Sequence, residues 1–215
     1  MGTQLTNVQV QKYFDKHAAG YDEQMGFFER HVLGNHRQWA TAQASGQVLE
    51  LAVGTGLNLP SYSPAVHHVL GIELSNQMLQ LARARISTNG LGDRVEVRLG
   101  DVQQLEVGDA TIDTVLSTYA ICSIPDPDAA LGEALRVLRP GGRLILVEHG
   151  PSIRALIRAG QHLINPLSVR FQADNLLRDP LLIARAAGFE VVGTDRAGWA
   201  GTVHRVVAVK PSAIA

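Results

Sequence analysis

The chain alternates between short apolar runs and longer stretches in which apolar residues recur every three or four positions. The short runs have the length of β-strands and lie at residues 47–53, 67–73, 94–99, 112–117 and 144–149. The stretches between them, at 76–86 and 128–137, are typical of amphipathic helices. Strands that alternate with helices form parallel β-α-β units, so the pattern predicts one α/β domain built on a doubly wound sheet.

Two segments lie outside this alternation. Residues 1–45 carry apolar and aromatic residues at loose helical spacing, which predicts a helical cap that either covers one edge of the fold or acts as a lid. Residues 150–180 contain an amphipathic run, 153–164, which we expect Pro166 to end. The apolar face of this run could lie against the sheet, a lipophilic pocket or a lipid surface. We favour the second of these, in which the run forms a lid that closes a lipophilic pocket. The core, residues 46–215, ends with a helix and two strands, at 181–187, 188–193 and 202–210.

The first strand runs into a tight turn, Gly54-Thr55-Gly56. Glycine adopts positive φ and has no Cβ, so the backbone can turn sharply and approach a ligand closely. We expect a helix to follow, with its free N–H groups pointing at the ligand. A dinucleotide-binding turn would have a third glycine or alanine where this chain has Leu59, which argues against NAD.

Acidic residues follow the first strands at the edge where the ligand would lie. Glu50, four positions before the first glycine, suits a ligand that carries an ammonium group. Glu73 ends the second strand, where a carboxylate can accept hydrogen bonds from both hydroxyls of a ribose. Asp101 follows the third strand and either caps the next turn or binds a base.

These features resemble the class I S-adenosylmethionine (SAM)-dependent methyltransferases over residues 10–210. The resemblance rests on E-x-[GA]-x-G-x-G with Ala52 in the first small position, and on Y-F-D-x-x-A-x-x-Y-D beginning at Tyr13. It also rests on L-R-P-G-G-R before the fifth strand and on the terminal pair of strands after Ala187-Gly188-Phe189. Bacterial phospholipid N-methyltransferases, quinone C-methyltransferases and small-thiol methyltransferases share this pattern.

The resemblance implies a Rossmann-like, mostly parallel seven-stranded sheet whose last strand is antiparallel. It implies SAM as cofactor and S-adenosylhomocysteine as product. The implied cofactor-binding residues are Tyr13, Tyr21, Glu50, Ala52, Gly54, Gly56, Asn58, Leu59, Glu73, Leu74, Met78, Asp101, Val102, Thr118 and Tyr119. The implied substrate-side residues are Cys122, His149, His162 and Arg170.

Methyl transfer is an in-line displacement that needs no covalent enzyme nucleophile, so we expect Cys122 to be a packing residue. His149 ends the fifth strand and is the candidate catalytic residue. It would act as a general base if the acceptor must lose a proton, and it could equally orient the substrate or bind a backbone carbonyl.

Composition limits the classes of partner that we expect this protein to bind. The chain has 215 residues, 46% of them hydrophobic, and a formal net charge of −1 with no run of basic residues, which argues against a nucleic-acid partner. One cysteine allows no internal disulfide, and the pair His67-His68 lies away from the ligand edge, so we expect no metal. With no signal-peptide pattern, we expect a cytoplasmic monomer or homodimer that acts on a small molecule and has at most weak contact with a membrane surface.

Two alternative functions would use the same cofactor-binding residues. The protein could bind SAM without transferring its methyl group, or it could be a phospholipid N-methyltransferase that acts at the membrane surface. An NAD-dependent oxidoreductase is the third alternative, which Leu59 and the terminal strand pair disfavour.

Overall fold

The computed structural model describes residues 5–212 and contains a seven-stranded sheet in the order β3-β2-β1-β4-β5-β7-β6. The strands are β1 (Gly46–Leu51), β2 (Val66–Glu73), β3 (Val95–Leu99), β4 (Ile112–Thr118), β5 (Leu138–His149), β6 (Glu190–Ala197) and β7 (Val203–Val209). Neighbouring strands from β3 through β5 pair in parallel, whereas β7 is antiparallel to both β5 and β6. The sheet confirms the predicted fold, including the antiparallel last strand.

Six α-helices surround the sheet in the described part of the chain. They are α1 (Asn7–Phe28), α2 (Arg37–Ala42), α3 (Asn76–Thr88), α4 (Pro127–Val137), α5 (Ala155–Gln172) and α6 (Pro180–Ala186). Side chains begin several of them: Ser75, the N-cap of α3, accepts a hydrogen bond from the Met78 amide at 3.2 Å, and Asp126 accepts one from the Ala129 amide at 3.0 Å.

The hydrophobic core has two layers because both faces of the sheet are covered. Side chains alternate along β5: Leu144 and Leu146 pack towards α4 and α6, while Ile145 and Val147 pack in the cluster that includes residues of α2 and α3. All four side chains are fully buried. A near-continuous apolar strand is therefore what this position in the sheet requires.

The chain reverses its direction of winding between β1 and β4. It runs outward from β1 to β2 and β3, and then returns to place β4 on the other side of β1. The loops after β1 and β4 therefore diverge at their carboxyl ends and leave a crevice there, which is where ligands bind in open α/β sheets.

The helix expected after the glycine turn is absent. Only a single 3₁₀ turn, Leu59–Ser61, follows it. Pro64 explains the difference, because a proline disfavours helical backbone at the residue before it and so leaves no room for a longer helix. The interpretation of the turn as the N-terminus of a helix was therefore wrong.

Two further boundaries differ from the expectations. Pro166 does not end the amphipathic run, because α5 continues to Gln172. Pro166 is exposed, so water can bind the carbonyl that its missing N–H leaves free. The fifth strand begins at Leu138 and not at Leu144, with an irregularity in its pairing to β4 between Ile112 and Thr114.

The glycine turn requires a residue without a side chain at Gly56. Its φ is +80°, and a Cβ there would lie 2.7 Å from Leu59 Cδ1. Gly56→Ala should therefore lower the free energy of unfolding by roughly 1–3 kcal/mol, measured by urea denaturation. Gly132→Ala is the matched control, since Gly132 lies inside α4 with open space around it, and this change should stabilise the protein by roughly 0.5–1 kcal/mol. Equal effects of the two substitutions would contradict the argument.

Candidate functional site

A cavity lies over the carboxyl ends of β1, β2 and β4, with an empty volume of about 770 Å³, part of it open to solvent. Many residues expected to bind the cofactor line it: Tyr21, Ala52, Gly54, Glu73, Leu74, Met78, Asp101, Val102, Thr118 and Tyr119. Topology brings these residues together from four separate loops and from α1. We call this space the first cavity.

Glu73 connects the loops after β1 and β2. Its Oε2 accepts a hydrogen bond from the Gly54 amide at 2.9 Å, and its Oε1 accepts one from the Ser75 amide at 2.7 Å. Burial raises the pKa of Glu73, while these backbone donors act in the opposite direction. A carboxylate has about four lone-pair positions, so both oxygens can still accept hydrogen bonds from ligand hydroxyls.

Ala52 occupies a position that favours glycine. Its φ is 49°, in the left-handed region where a Cβ is strained. Ala52 also lines the first cavity. Its conformation supplies a physical reason why glycine is more common in this position of the motif.

Asp101 combines a capping role with a place in the cavity wall. Its Oδ1 accepts a hydrogen bond from the Gln103 amide at 2.9 Å, as in an Asx turn. Its Oδ2 lies 2.5 Å from Asn7 Nδ2, which donates from α1. The turn fixes the carboxylate at the edge of the cavity.

Helix α1 forms the roof of the first cavity through Asn7, Val10, Phe14 and Tyr21. Polar side chains attach it to the loops beneath. Asp15 Oδ1 accepts a hydrogen bond from Ser75 Oγ at 2.6 Å, and Asp22 Oδ1 accepts one from Thr55 Oγ1 at 2.5 Å. Together with Asn7, these contacts connect α1 to the loops after β3, β2 and β1.

Arg37 is a site residue that the sequence did not indicate. It is buried on α2 and lines the first cavity. It forms an ion pair with Glu29 at 2.6 Å and donates to Thr118 Oγ1 at 2.8 Å. A lone arginine in a polar helical segment carries no sequence signal, and only the fold reveals that this one is buried beside a ligand cavity.

Glu50 lies behind the cavity wall and does not line it. Its oxygens accept hydrogen bonds from Asn58 Nδ2 and from the Tyr62 hydroxyl, both at 2.7 Å. Burial raises the pKa of Glu50 to about 7, against the effect of these donors. Gly56, Asn58 and Leu59 are likewise absent from the lining, so these residues support the loop and do not face the cavity.

Tyr119 places a phenol at the other end of the first cavity. Its backbone has a φ of 55°, and the guanidinium of Arg37 lies over its ring at 5.2 Å. Within the part of the chain that the structure describes, its buried hydroxyl has no hydrogen-bond partner. An unsatisfied hydroxyl in a cavity wall is a candidate for a ligand contact.

A second cavity lies between α1, the loop before α4, and α5. Tyr13 and Arg170 line this cavity and not the first one. Pro125 lines both cavities, so both lie against the loop before α4. His162 is exposed on α5 and belongs to neither lining.

His149 and Cys122 lie close to Asp174, which the sequence did not single out. His149 Nε2 is 2.9 Å from Asp174 Oδ1. Burial lowers the pKa of His149, but the effects of Cys122 and of the Asp174 carboxylate together outweigh burial, so that the pKa lies well above the ordinary value of histidine. Burial raises the pKa of the Cys122 thiol to about 11. These residues lie outside both cavity linings.

Comparison with known proteins agrees with this geometry. The family described as "methyltransferase domain" matches residues 49–146, which run from β1 through most of β5. The demethylmenaquinone methyltransferase of Lactiplantibacillus plantarum is 34% identical over 159 residues, which are 69% of this chain and 66% of that protein. The chain belongs to the class I SAM-dependent methyltransferases. SAM is therefore the cofactor of this methyltransferase.

Other relatives have different acceptors in their names. The phosphatidylethanolamine N-methyltransferase of Cereibacter sphaeroides is 41% identical over 104 residues, 48% of this methyltransferase and 51% of that protein. The chain thus spans about half of one of these two curated relatives and about two thirds of the other. A solved geranyl diphosphate methyltransferase in complex with GPP and sinefungin has a TM-score of 0.73 at 14% identity, with 95% of this chain and 99% of that chain covered, which shows a shared fold.

The first cavity fits SAM in its chemistry. Glu73 offers acceptor sites for ribose hydroxyls, and Arg37 offers a positive charge for the carboxylate of the methionine portion. Val102 and Met78 supply apolar surface for the adenine. These assignments remain predictions for this methyltransferase.

The ribose assignment can be tested at Glu73. Glu73→Gln keeps the shape of the side chain but removes the charge, so SAM should bind about 2–3 kcal/mol more weakly by calorimetry. Glu96→Gln is the control, because Glu96 is an acid on β3 that pairs with Arg98 and lies outside the cavity lining. Unchanged SAM affinity in Glu73→Gln would contradict the assignment of Glu73 to the ribose hydroxyls.

The roof of the first cavity should respond to the cofactor. We expect hydrogen exchange at residues 10–30 to slow when SAM or its product is added, because the ligand would contact α1 from below. Asp22→Ala removes the contacts to Thr55 and Arg85 and should speed exchange there without ligand, whereas Glu23→Ala at an exposed position should not. If SAM binds and exchange in this segment does not change, α1 is a fixed structural cap.

Proposed function

We propose that this methyltransferase transfers the methyl group of SAM to a small, lipophilic acceptor that binds in the second cavity. The observation that carries the proposal is that the two cavities lie on either side of the same loop and share Pro125 in their linings. A cofactor in the first cavity can then present its methyl group to an acceptor in the second. The named relatives act on a quinone precursor and on a phospholipid, which supports a lipophilic acceptor.

The chemistry asks mainly for position and a dry environment. The acceptor atom attacks the methyl carbon opposite the sulfur, and the electron pair of the breaking bond returns to sulfur. Holding the two in line can lower the barrier by about 7–11 kcal/mol at best. Roofing by α1 would keep water out, and His149 is our candidate for orienting the acceptor or taking its proton.

Isotope transfer tests this function directly. Purified protein is incubated with SAM that carries a labelled methyl group and with a panel of acceptors: a demethylated quinone, phosphatidylethanolamine vesicles and a small aliphatic thiol. We expect label in one extracted product together with S-adenosylhomocysteine. Tight SAM binding with no label in any product would favour the alternative in which the protein uses SAM without methyl transfer.

A second candidate, methylation of a phospholipid at the membrane surface, is favoured by α5. This helix turns large apolar side chains to solvent along one face, with Leu156 89% and Leu163 81% exposed. Ile153, Ile164, Leu167 and Phe171 are exposed as well. A patch of this kind is typical of a surface that contacts lipid or another protein.

Charges beside this face are consistent with an anionic lipid surface. Arg154 and Arg158 lie exposed at the start of α5. Each basic residue near an anionic surface contributes about 1 kcal/mol, so apolar insertion and charge would have to act together. Among residues 5–212, no helix has the length and hydropathy that a membrane span requires. Contact would therefore involve one face of a helix.

Vesicle flotation separates the candidates. If the second candidate holds, the protein floats with vesicles rich in anionic lipid, and Leu156→Ser with Leu163→Ser reduces the floated fraction at least tenfold. Leu182→Ser with Val192→Ser removes comparably exposed side chains elsewhere and should have no effect. If the wild type does not float but sediments as a dimer that the α5 variants dissociate, the apolar face is a contact between subunits.

A further inference from the structure

Three potential metal ligands from different parts of the chain converge in one place. Cys122 lies in the loop after β4, His149 ends β5, and Asp174 follows α5. One donor atom from each residue lies within 4.8 Å of the other two. In a tetrahedral zinc site, bonds of about 2.0–2.3 Å place the ligand atoms roughly 3.3–3.6 Å apart, so small movements would suffice.

The contact between His149 and Asp174 does not have the geometry of a hydrogen bond. The two atoms are 2.9 Å apart, yet Asp174 Oδ1 is a buried oxygen without a hydrogen-bond partner among the described residues. Asp174 Oδ1 therefore keeps its lone pairs for a further partner, and a metal ion that bound His149 would displace the proton from Nε2. Cys122 Sγ is similarly free, with only weak contacts of 3.8 Å to the Tyr119 carbonyl and 3.6 Å to Ser123 Oγ.

The backbone holds these ligands in place. The Asn175 amide donates to the Cys122 carbonyl at 3.0 Å and so ties the loop of Asp174 to the loop of Cys122. Arg178 donates to the carbonyls of Ile121 and Ile124 and strengthens the same connection. Ala173 has a φ of 52°, a strained conformation that turns Asp174 inward. These contacts hold the loop of Asp174 against the loop of Cys122.

We infer that Cys122, His149 and Asp174 form a binding site for a divalent transition metal of the zinc type. A thiolate, an imidazole and a carboxylate are ligands that Zn²⁺ accepts, and three protein ligands leave the fourth position open. One thiolate and one carboxylate also cancel the charge of a divalent ion, which makes its burial tolerable. This inference differs from the expectation of no metal, because folding brings Asp174 to a pair that the sequence shows only as a lone cysteine and a lone histidine.

The open position suggests a role that rests on the proposed function. Ala173 and Asn175, on either side of Asp174, line the second cavity, while Ser123 and Ile124, next to Cys122, line the first. The three ligands lie behind these lining residues, so an acceptor would have to pass between them to reach the open position. A thiol or hydroxyl held there would lose its proton to solvent and attack the methyl carbon as an anion. His149 would then serve as a ligand and not as a general base.

Metal content is the direct test. Protein is dialysed against a chelator and then against Zn²⁺, and the bound metal is measured by elemental analysis. We expect one Zn²⁺ per chain, and Co²⁺ in its place should give the absorption bands of a tetrahedral cobalt–thiolate centre. Cys122→Ser and Asp174→Asn should each weaken binding at least tenfold, whereas Asp174→Cys should retain the ion and intensify the thiolate band.

Controls keep the outcomes distinct. The double substitution His67→Ala with His68→Ala removes two histidines that are neighbours in sequence and do not belong to the cluster. The number of metal ions bound per chain should not change. SAM affinity, measured on metal-free protein by calorimetry, should be unaltered in the cluster variants and reports that they fold. Loss of metal from the histidine-pair variant, or absence of stoichiometric metal from the wild type, would overturn the inference while leaving the proposed function standing. Stoichiometric metal without methyl transfer to any acceptor would support the site and overturn the function.

Discussion

Attachment of α1 across the strand ends is the interaction on which the cofactor cavity depends. Asn7, Asp15 and Asp22 are separated by eight and then seven residues, close to two turns of helix each, so they lie on one face. Each contacts a different loop, after β3, β2 and β1 in turn. Without these contacts the loops would still form, but the space above them would be an open surface and not a cavity.

The same helix also buries apolar side chains at a matching interval. Val10, Ala18 and Met25 are its buried residues and again are eight and seven positions apart. Polar attachment and apolar packing thus reinforce one orientation of α1. Because the polar contacts are partly exposed to water, each contributes little to stability. A roof held by several weak contacts can open for cofactor exchange without unfolding the sheet beneath it.

The sequence predicted the sheet and the cofactor edge because both depend on local patterns. Apolar runs identify the strands, and glycines and acids at strand ends are close in sequence to the elements that position them. It could not predict Arg37 or Asp174, since neither belongs to a pattern and each reaches the site only through long-range packing. Two predictions were wrong: a helix after the glycine turn and a helix end at Pro166. Pro64 limits the first segment to a single 3₁₀ turn, and the exposed position of Pro166 allows α5 to continue past it.

The polar contacts on the inner face of α5 explain why its apolar face points outward. Its inner face carries polar side chains that bind backbone: Gln161 Oε1 accepts from the Ser152 amide and Asn165 Oδ1 accepts from the Leu176 amide, both at 2.8 Å. A rotation that buried the apolar face would break these bonds and leave buried amides without partners, at a cost of about 1–3 kcal/mol each. The outward direction of Leu156 and Leu163 is therefore built into the fold. Because the inner side of α5 borders the second cavity, the lipophilic acceptor that we propose would have only one helix to pass between the outer face and that cavity.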